Sequence, residues 1–301
     1  MKLDKVWVVS SRASSIAELC TGAAALGEDT ALLYTGDRGA AVGCETAYYF
    51  GSADGISSAD CAQAMSEKIA AEKPDLVLFD NSRNSRLCAA FAAVKLDTCV
   101  QTDASSISIE EGGVVTTRMA YGGSAVKTEC SGRNALVVCA AGLFEAGNTE
   151  PAGEIIDVPV CAGSVKFIEK RVKEAQSVNL ASAKKILAIG RGVGTADNLP
   201  MIYELAEAMG AELGCSRPVA EEEHWLPKER YIGVSGVFVK PDVYLAVGIS
   251  GQVQHTVGTT QSKTVFAINK DKDAPIFADC DFGLVADLKE VIPAICSKLK
   301  K

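Results

Sequence analysis

The chain has 301 residues, a formal net charge of −8 and 11 cysteines. That length can hold two cores of ordinary domain size, and the acidic balance excludes nucleic acid or an anionic membrane surface as a partner reached by general charge attraction. No apolar run is long enough to span a bilayer, the start MKLDKVWVVSS lacks a signal-peptide layout, and the cysteines form no C-x-x-C pair, so the expectation is a cytoplasmic protein with buried thiols and neither zinc nor an iron–sulfur cluster.

In chain order, residues 6–9 read as a strand, 14–26 as a helix by apolar spacing, and 30–34 as a strand again. A strand at 45–50, a helix at 58–72, a strand at 76–79 and a helix at 86–95 follow. This alternation predicts a parallel sheet wrapped by helices. The period then changes. Residues 105–110, the turn Glu111-Gly112-Gly113 and residues 114–120 read as a hairpin, continued by strands near 125–130 and 136–140. Residues 164–174 are expected to add an edge strand. Ser10-Ser11-Arg12 and Asp80-Asn81-Ser82-Arg83 lie at strand ends, yet polar residues at such ends are common on any α/β domain and single out no site.

The segment AQSVNLASA, small and polar, marks the boundary. Residues 1–174 are expected to form one domain, 175–183 a linker and 184–301 a second domain. In the second, a strand at 186–189 runs into Gly190-Arg191-Gly192-Val193-Gly194. A dinucleotide fingerprint would need glycine at the sixth place, where Thr195 stands, so the loop is glycine-rich without being that signature. A strand at 211–215 runs into Ser216-Arg217-Pro218. The apolar run 243–249 suits a strand covered on both faces; it ends at Ser250-Gly251, which fits a tight turn into a helix whose first N–H groups could meet an anion, with His255 close behind. Residues 264–268 end at Asn269-Lys270-Asp271, and a weaker run at 284–286 ends at Asp287-Leu288. Ligands of open α/β sheets sit outside the carboxyl ends of strands, where all these polar residues would fall.

The stretches GRGVG, GCSRPVA, ERYIGVSG, LAVGISGQVQH, AINKDKDAPIF and DFGLVADL, in that order and spacing, resemble the FAD-binding domain of the electron transfer flavoprotein alpha subunit. SRPVAEEEHW and ERYIGVSG most resemble its FixB-type branch, and TRMAYGGSAVKTEC extends the likeness more loosely into the first half. The resemblance implies two α/β domains, the C-terminal one a doubly wound parallel sheet binding FAD non-covalently. It also implies a first domain that packs against an electron transfer flavoprotein beta subunit, and an electron carrier rather than an enzyme, fed by a flavoenzyme such as an acyl-CoA dehydrogenase. Electron bifurcation would depend on a nucleotide site contributed mainly by the beta subunit and stays open.

By the same matching, Arg217 would lie at the flavin, where a permanently charged guanidinium favours negative charge on the reduced ring. A ring N–H of His255 would donate to a flavin carbonyl. Ser235, in a turn with Ile232, Gly233 and Val234, stands where many members carry threonine and a hydroxyl approaches the reactive flavin nitrogen; Val234 stands where glutamine is frequent. Arg191, Ser216, Ser250, Gly251, Gln252, Val253, Gln254 and His255 would serve flavin and pyrophosphate. Asn269 and Asp287, with Leu288, would hold the ribityl–adenosine part, Asp287 doubling as a helix cap. His224 reads as structural. Two other classes remain: an adenine-nucleotide-binding regulatory module without redox activity, and a dehydrogenase with its own substrate, which the lack of paired carboxylates or a Cys–His arrangement disfavours.

Overall fold

The computed structural model describes residues 2–10, 12–51, 56–163, 168–169 and 180–299. The chain divides into two compact units, one of Met1–Ala120 with Ala125–Arg171, the other of Tyr121–Ser124 with Val172–Lys301. The first carries strands β1 (Leu3–Ser10), β2 (Gly27–Tyr34), β3 (Thr46–Tyr49), β4 (Leu76–Phe79), β5 (Val100–Ala104), β6 (Ser106–Glu110), β7 (Gly113–Ala120), β8 (Ala125–Ser131), β9 (Ala135–Cys139) and β10 (Glu154–Asp157). Its helices are α1 (Ala13–Leu26), α2 (Ser58–Glu72) and α3 (Arg83–Leu96). Seven strands form a sheet in the order β10-β3-β2-β1-β4-β9-β5, parallel throughout.

Strand alternation gives that sheet two apolar faces. Val6 and Val8 pack with Ile16, Leu19 and Ala23 of α1 on one side, and Trp7 and Val9 with Met65 and Ile69 of α2 and Cys88 and Ala92 of α3 on the other. Helix starts are set by hydroxyl caps: Ser57 Oγ accepts from Asp60 N–H at 3.1 Å and Ser82 Oγ from Ser85 N–H at 3.2 Å. Strands β6, β7 and β8 form a separate antiparallel sheet, as the hairpin pattern predicts.

One expectation changes here. The strand predicted at 136–140 does not continue the hairpin; as β9 it lies between β4 and β5 in the parallel sheet. Its sequence ALVVC is buried at every position, the unbroken apolar run of a strand covered on both faces, whereas β8 is mostly exposed. Strands β5 and β10, short and carrying charged residues, had no apolar signal. The edge strand expected at 164–174 lies outside the described residues apart from 168–169, which form no strand. Residues 175–179 of the expected linker are also outside them; at its end Leu180–Ser182 forms a short turn with Leu180 buried.

The second unit has strands β11 (Lys185–Ile189), β12 (Glu212–Cys215), β13 (Val243–Val247), β14 (Thr264–Asn269) and β15 (Phe282–Val285), with helices α4 (Leu199–Met209), α5 (Arg217–Glu221), α6 (Val253–Thr256) and α7 (Leu288–Leu299). The sheet is parallel in the order β12-β11-β13-β14-β15. Leu187, Leu245 and Val247 pack under α4 and α7. Ile186, Tyr244 and Ala246 face Ile232, Val239 and Ile276 on the opposite side. Both faces are thus covered, and the chain reverses its direction of travel across the sheet between β11 and β13, which makes the carboxyl ends of that pair the natural ligand position of a doubly wound sheet. The helix expected after Ser250 is a single turn, α6, too short for a full macrodipole.

Candidate functional site

The loops leaving β11 and β13 touch through their glycines. Gly192 N–H donates to Gly248 O at 3.0 Å, and a Cβ on Gly192 would stand 2.6 Å from Gly248 Cα. Gly248 itself has φ +63°, a conformation that glycine adopts without strain. The glycine loop is therefore spelled by close approach of two strand ends, not by a fingerprint. Beside the contact opens a cavity of about 250 Å³. Asn269, Asp287 and Leu288 line it, as the strand-end pattern predicts, together with Lys270. Thr195, Asn198 and Lys289 also line it and were not singled out. Asn198 donates to Val193 O at 2.7 Å and so braces the glycine loop, and Lys289 follows Asp287 by two residues; proximity in sequence to the strand ends was the available signal.

Two of the cavity residues already have structural tasks. Asn269 Nδ2 donates to Ile249 O at 2.9 Å and its Oδ1 accepts from Asp271 N–H at 3.0 Å, so it ties the loop after β14 to the end of β13. Asp287 Oδ1 accepts from Lys289 N–H at 2.8 Å and caps α7. Its second oxygen makes no hydrogen bond among the described residues.

A second group of predicted residues forms a ledge. Ile232 N–H donates to Cys215 O at 2.9 Å, which hangs the turn of Ile232, Gly233, Val234 and Ser235 on the end of β12. Val234 N–H donates to Gln254 O at 2.8 Å, and Gly233, at φ +143°, has no room for a Cβ, which would lie 2.5 Å from the same carbonyl. The segments 232–235 and 250–255 are thereby one surface. Ser250 O accepts from Ile276 N–H at 3.0 Å, Gly251 is buried against Ile276, and Gln252, Val253 and Gln254 are exposed. Ser216 N–H is bonded to Ile189 O at 2.9 Å, and Ser216 stands at the start of α5.

The charges near the ledge are partly paired. Arg217 Nε donates to Glu221 Oε2 at 2.6 Å, one helical turn on, and Arg191 Nη1 lies 3.4 Å from Glu222 Oε2. Both arginines are exposed. The hydrogen bond to Glu221 holds the Arg217 guanidinium above its ordinary pKa and the Glu221 carboxyl below its own.

His255 is buried, 7% exposed. Its Nε2 lies 2.7 Å from Tyr244 Oη, while Nδ1 is out of contact with solvent and has no hydrogen-bond partner of adequate geometry. Burial pushes its pKa down to about 4, against an opposing pull from the Ile232 backbone. His224 Nδ1 lies 3.3 Å from Ala220 O, four residues back in the chain.

In the first unit, the strand-end residues also satisfy one another. Ser10 Oγ donates to buried Asp80 at 2.7 Å, and the other Asp80 oxygen accepts from Ser82 N–H at 2.8 Å. The neighbouring cavity, lined in part by Ser10, Cys61, Met65 and Ser85, measures only about 30 Å³, room for roughly one water.

Residues 6–162 match the electron transfer flavoprotein domain and residues 179–260 the electron transfer flavoprotein FAD-binding domain. The chain is 37% identical over 311 residues to Protein FixB of Salmonella typhimurium, covering 100% of this chain and 99% of that protein. It is 38% identical over 309 residues to the Protein FixB of Shigella dysenteriae serotype 1 and to that of Escherichia coli O7:K1, covering 99% of each partner in the comparison. The matches span the same two units that the fold divides, and the FAD-binding match includes the switch-point loop, the ledge and His255. The chain belongs to the electron transfer flavoprotein alpha subunit family, in its FixB-type branch, and is an electron-carrying subunit with FAD as its cofactor.

Proposed function

We infer that FAD is held non-covalently along the carboxyl ends of β11, β13, β14 and β15, with its ring over the ledge and its adenosine end in the cavity. The observation that carries this reading is the convergence of separate sequence segments, 191–198, 216–217, 232–235, 250–255, 269–270 and 287–289, on the switch-point end of one parallel sheet. The donor set fits such a molecule. The Asp287 oxygen left without a hydrogen bond among the described residues suits a ribose hydroxyl, and the glycines at 192 and 248 let the two strand-end loops meet beside the cavity. Exposed Arg217 and Arg191 offer charge to phosphate or to a reduced ring, and Ser235 is an exposed hydroxyl on the ledge. The bound FAD supplies the redox chemistry, taking up and releasing electrons. The chain binds it, orients it, excludes water from the buried side of the ledge through Ile232 and His255, and sets the charge nearby.

The chain works as a heterodimer with an electron transfer flavoprotein beta subunit through residues 1–174, and takes electrons from a flavoenzyme dehydrogenase such as an acyl-CoA dehydrogenase. The strand-end polar groups of the first unit are occupied with one another, which supports assembly rather than ligand binding as its task. Eleven cysteines without a disulfide suit the reducing cytoplasm. Co-expression with the beta subunit tests the reading: size-exclusion chromatography is expected to give a single yellow peak with one FAD per pair and reduction by an acyl-CoA dehydrogenase. Two separate colourless peaks at micromolar concentration would overturn it.

A further inference from the structure

Cys20 and Cys44 meet in the first unit, one from a helix and one from a loop. Cys20 lies in α1 and is 2% exposed, while Cys44, half-buried just ahead of β3, packs on the same apolar cluster. A Cβ on Gly43 would stand 3.3 Å from Cys20 Cβ, so the loop that carries Cys44 runs within disulfide reach of the helix. The two thiols are hydrogen-bonded to each other. A third segment fastens both sides. Gly147 N–H donates to Thr21 Oγ1 at 3.1 Å and Gly43 N–H to Glu150 O at 2.9 Å, so residues 147–150 tie the helix to the loop. Gly153 N–H donates to Cys44 O at 3.3 Å.

The hydrogen bond between the thiols divides their roles. It raises the pKa of Cys20, the donor, and burial adds to that; it lowers the pKa of Cys44, the acceptor, against an opposing effect of burial. Other buried thiols differ. Burial pushes Cys61, Cys88, Cys139 and Cys215 up, and Cys61 and Cys139 donate to backbone carbonyls rather than to a second sulfur. The thiolate is the nucleophilic form of cysteine, and Cys44 is both the better placed to carry it and the more exposed of the pair.

We propose that Cys20 and Cys44 form a peroxide-reactive dithiol site that closes to a reversible disulfide within the chain. Cys44 sulfur attacks one oxygen of hydrogen peroxide, the O–O bond breaks and hydroxide leaves, giving the Cys44 sulfenic acid. Cys20 sulfur then attacks the Cys44 sulfur, the S–O bond breaks, and the Cys20 proton leaves with the oxygen as water. Over both steps two thiols lose two electrons and two protons, and one peroxide becomes two waters. A small-molecule or protein thiol restores the pair by exchange, as suits a transient disulfide in a reducing compartment. The site lies in the first unit, and its chemistry does not depend on where the flavin binds.

The test treats the FAD-loaded heterodimer with hydrogen peroxide, blocks the remaining thiols with iodoacetamide, and maps the digest by mass spectrometry with fragment sequencing. The expected result is a loss of two free thiols as one Cys20–Cys44 bond, reversed by dithiothreitol, at a peroxide dose that leaves Cys88 reduced. Cys20→Ser should trap Cys44 as a sulfenic acid that dimedone labels. Cys44→Ser should leave Cys20 a free thiol at the same dose. Oxidation of exposed Cys99 or Cys161 with no Cys20–Cys44 bond in the wild type overturns the proposal. So does a wild type in which Cys44 is oxidised while Cys20 stays free, or a Cys44→Ser protein in which Cys20 is oxidised as readily as before.

Discussion

Glu221 sits on the Arg217 guanidinium at 2.6 Å, so the charge that Arg217 is proposed to offer a reduced flavin is partly offset by its own neighbour. Opposite effects therefore follow from the two partners. Arg217→Ala should make the first one-electron potential of the bound FAD more negative, by about 59 mV for each tenfold loss of preference for the reduced ring, and Arg217→Lys should fall between. Glu221→Gln should move the potential the other way. Potentiometric titration of the heterodimer checks both, and an unchanged potential in Arg217→Ala would make Arg217 a surface arginine. His255 gives a pH dependence. Its folded pKa of about 4 lies below the ordinary 6.5, so the unfolded chain binds more protons between those values. Its contribution, about 3 kcal/mol, is complete above pH 6.5 and is lost as pH falls toward 4. Urea midpoints should fall between pH 7 and 5 in wild type and fall less in His255→Asn. His255 was visible in the sequence as one of two histidines after a strand end. Tyr244 was not, since an aromatic inside an apolar run shows burial but not the partner of its hydroxyl.

Most elements were legible from period alone, because the two larger sheets are parallel and most of their strands are short apolar runs between helices. What the period could not show is order across a sheet. The run ALVVC of β9 announces a strand covered on both faces, but only packing inserts it between β4 and β5, and β5, with its VQTDA sequence, borrows its place from that neighbour. In the sequence the glycine loop after β11 shows only that it is no dinucleotide fingerprint, whereas its composition answers to a second loop more than fifty residues later, with Gly192 against Gly248. Gly248→Ala tests that contact. The added Cβ would stand 2.8 Å from Gly192 Cα in a left-handed backbone, so a loss of about 1–3 kcal/mol is expected. FAD content after gel filtration should fall with it. Gly210→Ala, also at positive φ but with open space around it, should lower stability by less and leave FAD bound.

At the scale of the molecule, the division into two units was legible in composition, while the residues of the expected linker fall largely outside those described. The flavin contacts inferred for the second unit include no cysteine, and the one histidine among them is buried on Tyr244, so acid precipitation should release the FAD to the supernatant; colour left in the pellet would indicate a covalent bond. The two edges of the second sheet are managed differently. At β12, Cys215 is bridged by Tyr231. At the opposite edge, β15 exposes all four of its residues, with Phe282 at 61%, Leu284 at 45% and Val285 at 53%, and it has no lysine or proline to blunt it. Such an edge is a template for another strand. Produced without a partner subunit, the chain should become turbid with time and temperature in a concentration-dependent way, and Leu284→Lys should delay this while leaving the secondary structure by circular dichroism unchanged.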